Sequence, residues 1–185
     1  MNKTIINPII KDQVTFMQTA AATNGRITTL QVTLMPGGGT PLHYHKNFSE
    51  TFVVVEGVLT ITLKHKTISL TTGQKLTVEQ GQVHRFSNES SEPVIFTTVI
   101  LPGSEGFENA LRILYGLAAD HKTDEKGMPK SLLALTVVST ISDMRPAGAG
   151  VLLIPLMGIL NLITRITGFH KKLVKRYCTN TQTDD

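Results

Sequence analysis

The chain has one cysteine, Cys178, in 185 residues. An internal disulfide and a cysteine-built zinc site are both excluded, and Cys178 reads as a bystander thiol in a reducing compartment. Aromatic residues make up only 5% and the net charge is a modest +4. That charge is spread evenly, with eight basic and six acidic residues up to Ser104 and ten and eight from Glu105 on. No concentrated basic face interleaved with aromatics exists, and no basic recognition helix precedes the β-rich region, so nucleic acid is not an expected partner. The first residues, MNKTIINPIIKDQ, lack the apolar core of a secretory signal, and the expected location is cytoplasmic. No internal repeat is visible.

What is present, up to Pro102, is the punctuation of an all-β domain. Apolar, β-branched runs of strand length recur at 14–17, 26–35, 51–56, 58–63, 67–70, 75–78 and 93–101. Between them lie Asn24-Gly25, Gly37 to Gly39, Gly57, Gly73, Gly81 and Asn88. Many short strands at regular spacing predict a sandwich or barrel. After Gly103 the period changes: Phe107, Leu111, Leu114, Leu117 and Ala118 form one stripe of an amphipathic helix. A second helix is expected over PKSLLALTVVSTIS, with Pro129 in its first turn, and a third apolar run follows Pro146, Gly148 and Gly150. The expected division is 1–104 for the barrel and 105–185 for a helical extension, with TNTQTDD frayed at the end.

Chemistry concentrates in GGGTPLHYHKNFSETFVVVEG and GQKLTVEQGQVHRFSN. Successive strand side chains alternate between faces, so His43 and His45 point to the same side and Tyr44 to the other. Glu50, Phe52 and Val54 share a face on the next strand. His84 comes from a separate strand with Phe86 beside it, while Arg85 points away. Three imidazoles and a carboxylate suit one divalent first-row ion: iron, manganese, nickel, cobalt, copper or zinc. Four ligand residues at fixed spacing are poorly explained by core filling, which favours apolar side chains. His65, His121 and His170 have no second ligand at useful spacing; His65 reads as a solvated turn residue and the other two as helix-end residues.

These two stretches resemble the motifs of the cupin superfamily, small jelly-roll barrels. Gly37, His43, His45, Glu50 and Gly57 meet every term of the first motif. Gly73, Gly81, His84 and Asn88 fit the second, with Glu79 where proline is usual. The resemblance covers roughly residues 30–100. It implies an all-β cupin jelly-roll barrel with a C-terminal α-helical extension, and metal ligation by His43, His45, Glu50 and His84.

Phe52, Val54 and Phe86 share parity with the ligands and are expected to line the pocket. No lysine or arginine is placed to pair a phosphate, which must be neutralised on leaving water. The expected ligand is therefore a small neutral, apolar or aromatic molecule, turned over in dioxygenase-like or isomerase-like chemistry with Glu50 as candidate base. The competing reading is a non-catalytic ligand-binding or regulatory module.

The tail poses its own choice. Pro146 to Thr164 holds 19 uncharged residues, about 28 Å if wholly helical and just within reach of a bilayer core. Pro155, expected to kink such a helix, Asn161, and the cationic end from Arg165 to Arg176 count against a span. Two arrangements remain: packing on the barrel or across a homodimer, which is favoured, and contact of 146–177 with a membrane surface.

Overall fold

The computed structural model describes residues 3–64 and 66–179. His65 and the end of the TNTQTDD segment, 180–185, lie outside the described residues.

Among the described residues, eleven strands form two antiparallel sheets. The first holds β1 (Thr4–Ile6), β2 (Gln13–Gln18), β3 (Thr28–Leu34), β5 (Ser49–Glu56), β8 (Lys75–Val78) and β10 (Val94–Leu101), in the order β1-β2-β3-β10-β5-β8. The second holds β4 (His43–Tyr44), β6 (Val58–Leu63), β7 (Lys66–Thr71), β9 (His84–Ser87) and β11 (Arg145–Pro146), in the order β11-β4-β9-β6-β7. Two facing sheets in this arrangement fit a jelly roll. All seven sequence-predicted runs are strands; β1, β4 and β11 are too short to announce themselves by alternation.

Alternation decides what faces inward. Along β3, Thr28, Leu30, Val32 and Leu34 are buried, and along β5 the same parity buries Glu50, Phe52 and Val54. The apolar ones among these join Phe96, Ile100, Leu59 and Ile61 in one core between the sheets. Register fixes the two motifs against each other: β10 is clamped between β3, with Val94 opposite Leu34, and β5, with Ile100 opposite Glu50. Gly57 turns β5 into β6 at φ +85, where a Cβ would meet the Pro93 carbonyl oxygen at 3.0 Å, so the position requires glycine.

Helix α1 (Glu105–Ala119) is capped by Ser104, whose side chain accepts from the Phe107 amide. It is apolar on two sides rather than one. Phe107, Leu111, Leu114 and Tyr115 pack on the barrel core, while Ile113 and Leu117 join Ala134, Val137, Leu173 and Cys178 in a second, helical core. Each such side chain contributes about 1.5–3 kcal/mol when fully buried. Buried Glu108 adds a polar clamp, its Oε1 accepting from the Ala20 amide at 2.7 Å and the Thr28 hydroxyl at 2.6 Å. Cys178 is buried, its thiol pushed up to about 11 by desolvation, with Arg112 opposing.

Two expectations about proline are corrected. Helix α2 (Leu132–Ile141) begins after Ser131, whose side chain accepts from the Ala134 amide, so Pro129 stands outside it in a bridge to Thr123. Pro155 does not kink a long helix. The apolar run is broken into a 3-10 segment (Gly148–Leu153) and α3 (Ile154–Ile166), and Pro155 lies in the first turn of α3, where its missing N–H has no intrahelical acceptor to lose. Gly168, left-handed at φ +70, then separates α3 from α4 (Phe169–Cys178). Among the described residues no helix is long and apolar enough to cross a membrane. His170 lies at the start of α4, away from the carbonyls at its C-terminal end.

Candidate metal centre

β4 and β9 meet with His43 directly opposite His84, and β5 of the other sheet brings Glu50 between them. His45 follows β4 on the same face as His43. All four side chains are buried, and one donor atom from each lies within 4.8 Å of the others. His43 Nε2 is 3.1 Å from His45 Nε2, Glu50 Oε2 is 2.9 Å from His84 Nε2, and Glu50 Oε2 is 3.3 Å from His45 Nε2. Two donors bound at right angles to one ion, each at about 2.1 Å, stand about 3.0 Å apart. The cluster has that spacing.

The outer ring nitrogens settle what the inner ones offer. His43 Nδ1 lies 2.7 Å from the Pro41 carbonyl oxygen, His84 Nδ1 3.0 Å from that of Gln82, and His45 Nδ1 3.2 Å from that of Asp143. A carbonyl can only accept, so each Nδ1 carries a proton and each Nε2 of a neutral ring presents a lone pair. His43 is held neutral: burial lowers it to about 4, and His84 pushes in the same direction. Burial by itself raises the Glu50 carboxyl, but the hydrogen bonds and charge of His45 and His84 outweigh it and hold the group ionised. Three imidazole nitrogens and one carboxylate oxygen therefore converge on one point, and the donor set fits a divalent ion, which would replace the ring protons that otherwise hydrogen-bond Glu50.

Asp143 supports the cluster from 98 positions away. Besides its carbonyl, its Oδ2 accepts from the amides of Lys46 at 2.7 Å and Asn47 at 2.8 Å. β11, which begins two residues later, pairs with β4. The helical extension thus completes the frame of the first motif. Gly81, at φ +77, donates its N–H to the His45 carbonyl at 2.7 Å and ties the second motif to the first. Where proline is usual, the Glu79 amide donates to Gln82 Oε1 and the Glu79 carbonyl accepts from the Gln82 amide, so the turn is closed by other means. Asn88 is structural: its Nδ2 donates to the carbonyls of Leu34 and Glu92.

A cavity of about 170 Å³ opens beside the cluster, with His43 and Glu50 in its wall. Phe86 is in its lining. Phe52 and Val54 are not: they are fully buried on β5, with Phe52 packed against Phe86 and Phe96. Parity put them on the inner face correctly, but the cavity lies towards β2, β3 and α1, and its walls include Val14, Leu30, Val32, Phe107, Leu111 and Leu114. The helical stripe was legible in the sequence; that it forms a wall was not.

Two polar residues in the lining carried no sequence signal. Asp12 is buried, its carboxyl raised to about 6 by desolvation against the Met35 amide that lowers it. Tyr115 is pushed well above the ordinary phenol range by burial and by Asp12. Among the described residues Lys126, exposed, is the one lysine or arginine in the lining.

The profile of the family described as "Cupin domain" matches residues 30–100. No curated protein sequence matches the chain. Similar solved structures include a predicted oxalate decarboxylase of Thermotoga maritima, 18% identical, covering 50% of this chain and 81% of that one with a TM-score of 0.47. A sugar phosphate isomerase of the cupin superfamily from Silicibacter pomeroyi is 23% identical over 49% of this chain and 59% of that one, with a TM-score of 0.43. The polyketide cyclase RemF of Streptomyces resistomycificus is 20% identical over 49% and 64%, with a TM-score of 0.44. The profile match and the two ligand motifs that lie within it identify residues 30–100 as a cupin domain.

Proposed function

We propose that this protein is an enzyme that binds a small, uncharged, largely apolar molecule and turns it over beside a divalent metal held by His43, His45, Glu50 and His84. What carries this reading is the shared wall: the apolar cavity and the cluster have His43 and Glu50 in common. A pocket that reached only the apolar core would bind without chemistry, and a cluster sealed from any pocket would be structural.

The cavity limits the substrate. A cavity of about 150 Å³ accommodates benzene, so 170 Å³ suits one ring or an equivalent aliphatic body. Its walls are mainly aliphatic and aromatic, which favours desolvating an apolar group and opposes a phosphate dianion. A bound ion would supply Lewis acidity or an oxygen-binding centre, in isomerase-like or dioxygenase-like chemistry. The protein's own part is to orient the substrate between Phe86 and Phe107, exclude water, and present an ionised carboxylate. Glu50 is the base in this scheme, because it is buried, ionised and in the cavity wall.

Elemental analysis alongside an oxygen-uptake and isomerisation screen of single-ring phenols and diketones tests this. Wild type should hold near-stoichiometric metal and turn over a member of the set. Glu50→Gln should keep appreciable metal and lose turnover. Wild-type rates in that variant would remove Glu50 from the chemistry, and metal without any turnover would favour the binding-module reading.

A further inference from the structure

Helix α3 turns an apolar face outward. At 100° per residue its outer arc of about 120° holds Leu156, Ile159, Leu162, Ile163 and Ile166, all exposed, with Ile159 at 61% and Ile166 at 76%. Its inner side carries half-buried Met157, Leu160 and Asn161 beside Thr164, which is 0% exposed with its hydroxyl donating to the Asn161 carbonyl at 2.8 Å. Leu152, just before the helix, extends the apolar arc at 83% exposure. The pattern is that of a helix whose outer medium is not water.

Charge narrows what that medium is. From Met144 to Gln182 there are six basic residues and no acidic one. Arg145 pairs with Asp143 and Arg176 with Asp120. Among the described residues Arg165, Lys171, Lys172 and Lys175 are exposed and in no ion pair. Two copies meeting through this face would set like charges near one another with no carboxylate from Met144 to Gln182 between them. An anionic surface supplies what is lacking. The 13 residues of α3 reach about 20 Å, short of a bilayer core of about 30 Å, so the helix fits the plane of a membrane and not its depth.

We propose that α3 is a membrane-surface anchor, its Leu156 to Ile166 face buried at the acyl boundary of an anionic lipid bilayer and the basic residues of α3 and α4 among the headgroups. The metal centre is independent of this role. Co-sedimentation of the full chain with mixed phosphatidylglycerol and phosphatidylcholine vesicles, against phosphatidylcholine alone, tests it, with sedimentation velocity in free solution alongside. Wild type should bind the anionic vesicles and release as salt rises. Lys171→Gln, Lys172→Gln and Lys175→Gln together should weaken binding on the order of 100-fold, about fivefold per charge, and Ile159→Gln with Ile166→Gln should abolish it. All five positions are exposed, so the fold tolerates them. Equal binding to neutral vesicles, or binding indifferent to the isoleucine pair, overturns the proposal. So does a lack of vesicle binding, and if Ile159→Gln with Ile166→Gln then also dissolves a dimer, a second copy covers the face instead.

Discussion

Removing the divalent ion should lower the melting temperature of the wild-type protein by about 5–10 °C, and the loss should be absent from His84→Ala. His43 Nε2 and His45 Nε2 lie 3.1 Å apart and Glu50 Oε2 lies 2.9 Å from His84 Nε2, spacings at which one ion would take the place of the bridging protons. The folded state alone assembles these four groups from β4, β5, β9 and the turn after β4, so an ion that needs all four binds the folded state and not the unfolded chain. At a free metal concentration 100 times the dissociation constant, the stabilisation is about 2.7 kcal/mol. A chain of this size shifts by about 2–4 °C per kcal/mol. Calorimetry of chelated and reloaded samples, with metal content measured on each, reads this directly. Identical melting curves for loaded and metal-free wild type would refute the reasoning, as would the same shift in His84→Ala, because then the ion binds elsewhere.

Three further outcomes follow from the same geometry. In metal-free protein, His43 is depressed to about 4 from its ordinary 6.5, so between those pH values the unfolded chain binds the proton and the folded one does not. Stability from this group is full above 6.5 and falls by about 3 kcal/mol on going down to 4; urea unfolding across that window should be less steep in pH for His43→Gln, and equal slopes would refute it. Asp12 has the opposite sign, since its raised carboxyl destabilises the fold increasingly as pH rises from 3.8 to about 6. Asp12→Asn should therefore stabilise by about 1–3 kcal/mol at pH 7 and by little at pH 4, with the Met35 amide still satisfied; destabilisation at pH 7 would contradict this. Asp143→Ala leaves the carbonyl that orients His45 but frees the Lys46 and Asn47 amides, and should cost about 1–3 kcal/mol of stability and 10–100-fold in metal affinity. Titration of the purified variant with metal checks the second figure, and unchanged affinity would show that Asp143 only closes a loop.

Much of the barrel was determined by local sequence. β-Branched alternation in β3, β5, β6 and β10 sets which side chains face inward, because the side-chain period of a strand is two and a slip of one residue would expose the whole core face. For the same reason the four donors were legible: His43 and His45 share parity, and Glu50, Phe52 and Val54 share it on β5. The location of Asp12 at the cavity was not legible, because an isolated acid outside any motif looks like a surface residue until the chain folds over it. Nor was the part played by Asp143, whose bonds to Lys46 and Asn47 join segments almost a hundred residues apart. Phe52 and Val54 mark the limit from the other side. Parity gave their face, but whether a residue on that face meets filled core or empty cavity depends on the neighbours that α1 and β2 bring, and pattern in one strand contains nothing about those. The tail divides in the same way. Composition determined that it is apolar and basic, while the break at Gly148 to Pro155 and the burial of Thr164 decided which side of α3 faces out, since only packing against α2 and α4 selects the face a helix turns inward.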